Sequence, residues 1–122
     1  MKKILIIEDD KLIINPLAEK LTANNISVVK SLSGEDGLKI ANTEIFDCIV
    51  VDINLPNING MQVIEKIRQG VVNKDTLIII FSNSDYMEYI EKAVKNDVTV
   101  YFTKSDKNLE DVYRIIKEKL KI

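Results

Sequence analysis

The chain has 122 residues, 46% apolar and 30% charged, which is enough for one complete hydrophobic core and too apolar for a disordered chain. Its 17 basic and 19 acidic side chains leave a formal charge of −2, so no electrostatic footprint for nucleic acid is present and direct DNA binding is not expected. There is no histidine, which excludes histidine acid–base catalysis, histidine-ligated metals and a histidine phosphocarrier; the one cysteine, Cys48, excludes an intramolecular disulfide and fits a reducing, cytoplasmic setting.

The opening run Ile4–Ile7 is stopped by Glu8-Asp9-Asp10, too soon for a secretory core or a membrane span, and reads as a buried first strand. Ile14, Leu17, Ala18 and Leu21 then recur at helical spacing, with Pro16 expected to kink that helix or delay its start. A second strand, Ile26–Val29, precedes a helix opened by Ser33 and Asp36 as a capping box, with Leu38 and Ala41 inward. The third strand, Ile49–Val51, holds Cys48 at its start as a buried, structural thiol. Met61, Ile64 and Ile67 mark a third helix that closes near Gly70. Leu77–Phe81 is the fourth strand, and Ser84 is expected to cap a helix with Tyr86, Ile90, Ala93 and Val94 on its inner face. Val98–Phe102 is the fifth strand, and Asn108 opens a last helix bearing Val112, Ile116 and Leu120, with Glu110 and Asp111 suited to the positive end of its dipole.

β-branched runs without strict alternation suit strands buried on both faces, and their alternation with helices implies a doubly wound, five-stranded parallel α/β sheet. Residues 1–122 are expected to form one domain, with no repeat, linker or output domain. In such sheets ligands bind beyond the carboxyl ends of the strands. Glu8, Asp9 and Asp10 follow the first strand, Asp52 and Asn54 the third, Ser82 ends the fourth, and Lys104 ends the fifth. Any one of these reads as a turn residue or cap, Asp10 above all. Together, several carboxylates at one edge would repel one another unless a cation joined them, and oxygen-only ligands point to a hard cation such as Mg²⁺. An ionised carboxylate can act as nucleophile toward phosphorus, with the metal at Asp9 and Asp52, Glu8 acting directly or through water, and Lys104 and Ser82 holding phosphoryl oxygens.

Four segments, Ile4-Leu5-Ile6-Ile7-Glu8-Asp9-Asp10, Val50-Val51-Asp52-Ile53-Asn54-Leu55-Pro56 with Asn59-Gly60, Ile79-Ile80-Phe81-Ser82 and Tyr101-Phe102-Thr103-Lys104, occur in this order over the whole chain. Together they resemble the receiver domain of bacterial two-component response regulators. The resemblance implies a flavodoxin-like fold with strand order 2-1-3-4-5. It implies that Asp52 takes a phosphoryl group from a phosphohistidine on a sensor histidine kinase or histidine phosphotransfer protein, with Mg²⁺ held by Glu8, Asp9, Asp52 and the Asn54 carbonyl. Ser82 then matches the switch hydroxyl, Lys104 the conserved-type lysine and Tyr101 the switch aromatic; from spacing alone Tyr101 reads equally as a packing residue. The surface of the fourth helix, fifth strand and fifth helix would report the state to a downstream protein, by a monomer or a phosphorylation-dependent dimer. Such a protein is a signalling phosphoacceptor rather than a turnover enzyme.

Three departures from the family pattern stand out. Ser105 replaces the usual proline after the lysine, and since a non-proline cis bond costs about 2.5–4 kcal/mol a trans bond is expected there. Asn83 is larger than the usual small residue, and Asn96-Asp97-Val98 lacks the usual Gly-Ala pair. Rival readings are an aspartyl-nucleophile phosphatase, which wants an Asp-x-Asp motif where this chain has Asn54, and a flavin carrier, which wants a glycine-rich phosphate loop after the first strand. A further alternative is the receiver part of a longer DNA-binding transcription factor.

Overall fold

The computed structural model describes residues 1–122 as five strands and five helices in strict alternation. They are β1 (Lys3–Ile7), α1 (Lys11–Ala23), β2 (Ser27–Ser31), α2 (Gly34–Ala41), β3 (Cys48–Val51), α3 (Gly60–Gln69), β4 (Leu77–Ser82), α4 (Met87–Lys95), β5 (Val100–Thr103) and α5 (Leu109–Leu120). All pairings are parallel, in the order β2-β1-β3-β4-β5. The expected flavodoxin-like topology is the one observed.

Successive residues of the central strands point to opposite faces and build two cores. Leu5, Ile7, Ile49, Val51, Ile78 and Ile80 pack with Met61, Val63, Ile64 and Ile67 of α3 and Ala93 of α4. Ile4, Ile6, Val50, Ile79 and Phe81 pack with Ile14, Leu17 and Leu21 of α1 and Val112 and Ile116 of α5. β1, β3 and β4 are covered on both faces as expected, whereas the edge strands β2 and β5 are half-covered. Cys48 is wholly buried, and burial pushes its thiol well above the ordinary range, as befits an inert packing group.

Several local expectations are corrected. Pro16 does not delay α1, which runs unbroken from Lys11 under the Asp10 cap; the carbonyl that Pro16 cannot bond belongs to Leu12, itself 85% exposed, so water can serve it. Ser33 does accept from Asp36 N, but the Asp36 carboxylate accepts a hydrogen bond from Ser31 Oγ instead of closing the box. Complete capping boxes open α3 at Asn59–Gln62 and α5 at Asn108–Asp111. Ser84 does not cap α4: the cap position is Tyr86, without a side-chain bond. Tyr86 and Val94 are exposed, leaving Ala93 as the one buried residue of α4. Asp97 adopts a left-handed φ of 58°, a conformation that suits glycine and that aspartate tolerates better than most residues. That is the physical sense of a small residue being usual there.

Candidate metal and phosphoacceptor site

The strand register assembles the site. Ile7 stands opposite Val51 and Ser82 opposite Thr103, so the next residues along, Glu8, Asp52 and Lys104, emerge at one edge of the sheet. The ladder continues one step beyond the strands: Glu8 N donates to Ser31 O at 3.0 Å, Asp52 N to Ile7 O at 3.0 Å, and Lys104 N to Ser82 O at 2.9 Å. These backbone bonds fix where the three side chains leave the sheet. The crossover between β1 and β3, the switch point of this strand order, lies under Glu8 and Asp52.

Glu8 and Asp52 are buried, and Asp9 beside them is exposed. One carboxylate oxygen from each of the three lies within 4.8 Å of the others. Lys104 Nζ contacts Glu8 Oε1 at 2.7 Å and Asp52 Oδ2 at 3.1 Å, and it sits 5.9 Å from the centre of the Phe81 ring. Asp52 Oδ1 accepts from Asn54 N at 3.0 Å, and Glu8 Oε2 from Asp10 N at 3.1 Å. One ammonium therefore contacts two of the three grouped carboxylates. Burial, and then the charge of Asp52, push Glu8 up to about 7 against the pull of its Lys104 hydrogen bond. Burial acts to lower Lys104, but the hydrogen bond to Glu8 and the charge of Asp52 outweigh it and raise the ammonium above its ordinary value. An oxygen-only set with excess negative charge fits a hard divalent cation, and Glu8, Asp9 and Asp52 could hold one.

Ser82 is fully buried at the neighbouring strand end, and its Oγ accepts from Ser84 N at 3.2 Å. Asn54 is exposed; its side-chain oxygen accepts from Ser84 Oγ at 2.6 Å. Tyr101 is half-buried and its hydroxyl donates to the Ser84 carbonyl. All seven sequence-predicted residues thus lie in one connected region, with Glu8, Asp9, Asp52 and Lys104 at its centre. Ser84 is the part that sequence reasoning misassigned: its side chain joins Asn54, and its main chain joins Ser82 and Tyr101. Its place two residues beyond Ser82 was the available signal. Ser105 follows Lys104 through a trans peptide in an exposed turn closed by Asp106 N and Lys107 N on Thr103 O. Asn83 is exposed.

The model of the response regulator receiver domain matches residues 4–116. The response regulator ArlR of Staphylococcus aureus is 39% identical over 85 residues, covering 70% of this chain and 38% of that protein. The match thus covers well under half the length of these curated relatives. A CheY-like receiver domain protein from Methanospirillum hungatei superimposes with a TM-score of 0.91 at 26% identity, over 99% of this chain and 94% of that one. A Burkholderia pseudomallei response regulator, solved with a phosphorylated aspartic acid, a calcium ion and citrate, gives a TM-score of 0.81 at 26% identity, over 93% of this chain and 65% of that one. No helix is long and apolar enough to cross a membrane.

Proposed function

The chain belongs to the response regulator receiver domain family, and from that premise we propose that Asp52 accepts a phosphoryl group from a phosphohistidine on a partner histidine kinase or phosphotransfer protein. The observation that carries this reading is the buried Asp52 carboxylate, 3.1 Å from Lys104 and grouped with Glu8 and Asp9. A carboxylate oxygen of Asp52 attacks phosphorus, the P–N bond to the donor imidazole breaks, and its electron pair returns to the imidazole nitrogen. The product is an aspartyl phosphate.

Mg²⁺, held by Glu8, Asp9, Asp52 and the Asn54 carbonyl, would supply positive charge to the transferred oxygens. Lys104 moves its contact from Asp52 to a phosphoryl oxygen, and the Ser82 hydroxyl, whose proton is uncommitted to any carboxylate here, donates to another. The phosphorylated aspartate and divalent ion of the Burkholderia relative support this assignment. Tyr101 then follows Ser82 and Ser84, biasing a two-state equilibrium of the α4-β5-α5 surface toward a downstream protein. In this reading the chain is a phosphoacceptor that assists its own labelling and not a turnover enzyme.

Intact mass after incubation with acetyl phosphate tests it. One added phosphoryl group, dependent on Mg²⁺ and lost in Asp52→Asn, is expected. Failure to gain mass, together with failure to bind beryllofluoride in the presence of Mg²⁺, would overturn it. The greater length of the curated relatives favours a second reading, in which this receiver serves a longer regulator, with DNA binding the output to test. The full reading frame and an operator-binding assay separate the two outputs without altering the role of Asp52.

A further inference from the structure

The two ends of α4 are held in different ways. Of its 9 residues only Ala93 is buried, so its own face grips the sheet weakly. The segment entering its N-terminal end is fastened to the acidic site: Ser84 bonds Ser82 and Asn54, and its carbonyl receives the Tyr101 hydroxyl. At the C-terminal end Ala93 and Val98 pack into the core shared with α3, and one side chain of α3 supplies the hydrogen bonds. Arg68 Nε donates to Asn96 O at 2.8 Å and Nη2 to Asp97 O at 3.5 Å, while Nη1 donates to Thr76 O at 2.7 Å and Lys74 O at 3.0 Å. Every partner is a main-chain carbonyl, and the partners belong to two loops, one after α3 and one after α4. A planar guanidinium with five donors can span both loops at once; an ammonium on a flexible stem cannot.

We propose that Arg68 is the fixed pivot of α4, a positioning residue that pins the helix's C-terminal end to α3 so that rearrangement at the site tilts the N-terminal end alone. The proposal rests on the phosphoacceptor reading, because loading of the site is what would move Ser82, Ser84 and Tyr101. At about 1.5 Å per residue α4 is roughly 13 Å long. A shift of about 1–2 Å at its entry would then turn the helix by roughly 5–10° about the pinned end, instead of sliding it bodily.

Hydrogen exchange on the full chain, before and after loading with Mg²⁺ and beryllofluoride, tests this. In the wild type, loading is expected to change exchange across residues 84–90 and to leave the amides of 96–98 unaltered. In Arg68→Met and Arg68→Lys, exchange at 96–98 is expected to rise about tenfold or more in the unloaded chain. The loading response should spread along the whole helix, while Asp52 still gains its phosphoryl group from acetyl phosphate. Lysine failing to rescue separates the spanning fork from mere positive charge. The amides of β1 and β3 report whether each variant is folded, and Arg68→Lys carries the test should the Met variant unfold. Wild-type protection at 96–98 in the Lys variant overturns the pivot. So does a wild type that binds beryllofluoride and responds equally at both ends of α4. A chain that binds no beryllofluoride at all overturns the phosphoacceptor reading and the pivot with it.

Discussion

Lys104 Nζ lies 2.7 Å from Glu8 Oε1, the shorter of the lysine's two carboxylate contacts in the acidic site. One cation thus serves two buried carboxylates, and its removal leaves the buried Asp52 without its ion-pair partner. Lys104→Met is expected to destabilise the metal-free protein by about 3–5 kcal/mol. Labelling of Asp52 by acetyl phosphate should slow by about 10²–10³-fold, the usual cost of losing a donor aimed at developing charge. Added Mg²⁺ should stabilise the variant more than the wild type, because the ion then supplies the missing positive charge. Thermal midpoints with and without Mg²⁺ check this, and equal metal shifts in the two proteins would count against the shared role.

The raised Glu8 gives a pH dependence of definite sign. Its ordinary value is 4.5, and burial followed by the charge of Asp52 lifts it to about 7 in the fold. Between those values the folded chain keeps a proton that the unfolded chain has lost. Stability contributed by this group is therefore fully present below the lower value and declines as pH rises through the window. Metal binding requires the deprotonated form, so the proton competes with the ion. Mg²⁺ affinity is expected to weaken below about pH 7, approaching about tenfold per pH unit for one displaced proton. Glu8→Gln should bind more weakly at high pH and lose this slope. Titration calorimetry across the window decides it, and a flat wild-type profile would remove Glu8 from the ligand set.

Gly60 is a third point of leverage. A Cβ built on it would collide with the Asp52 carbonyl oxygen and lie 2.9 Å from Ile53 Cα. Its own N–H donates to Ile53 O at 2.9 Å, so α3 starts directly against the acceptor's backbone. Backbone meets backbone there, and neither side can yield by turning a rotamer. Gly60→Ala is expected to cost about 1–3 kcal/mol by overpacking and to weaken beryllofluoride binding as well, since the displaced atoms carry Asp52. Urea melts and a beryllofluoride titration on the folded variant separate the two effects. Unaltered binding would show that the acceptor loop tolerates the push.

The central strands and the acidic edge were legible because each depends on local pattern. Ile4–Ile7, Ile49–Val51 and Leu77–Phe81 are continuous apolar runs, and Glu8, Asp52, Ser82 and Lys104 stand at or just beyond strand ends. Features resting on distant partners were not legible. Ser84 occupies a plausible capping position, but its hydroxyl is taken by Asn54, 30 residues away in sequence. Tyr86 and Val94 continue a helical apolar stripe, yet α4 packs by Ala93 with only partial help from Tyr89, and leaves both exposed. Asn73 carried no sequence signal at all. It is 2% exposed, accepts from Phe46 N and donates to Ala41 O and Glu44 O, tying the loop after α2 to the loop after α3. Periodicity sees neighbours along a helix or strand, and none of these partners is one.

Tyr101 offers the cleanest separation of transfer from readout. Its hydroxyl donates to the Ser84 carbonyl while its ring packs against the core beneath α4. Burial, and then the charge of Asp85, raise the phenol above its ordinary value, so it remains a donor at any working pH. Tyr101→Phe keeps the ring and removes the donor, with an expected loss of about 1 kcal/mol. Because the hydroxyl touches neither Asp52 nor Lys104, acetyl phosphate should label Asp52 in this variant as it does in the wild type. The change in hydrogen exchange that loading produces at 84–90 should shrink, since the tie between β5 and the entry to α4 is gone. Ser84→Ala is the complement: it leaves the carbonyl for Tyr101 and frees the Asn54 amide beside the acceptor. That variant should alter the lifetime of the aspartyl phosphate more than the response of α4. If Tyr101→Phe instead slowed labelling of Asp52 as much as it weakened the α4 response, the tyrosine would belong to the transfer chemistry and not to its readout.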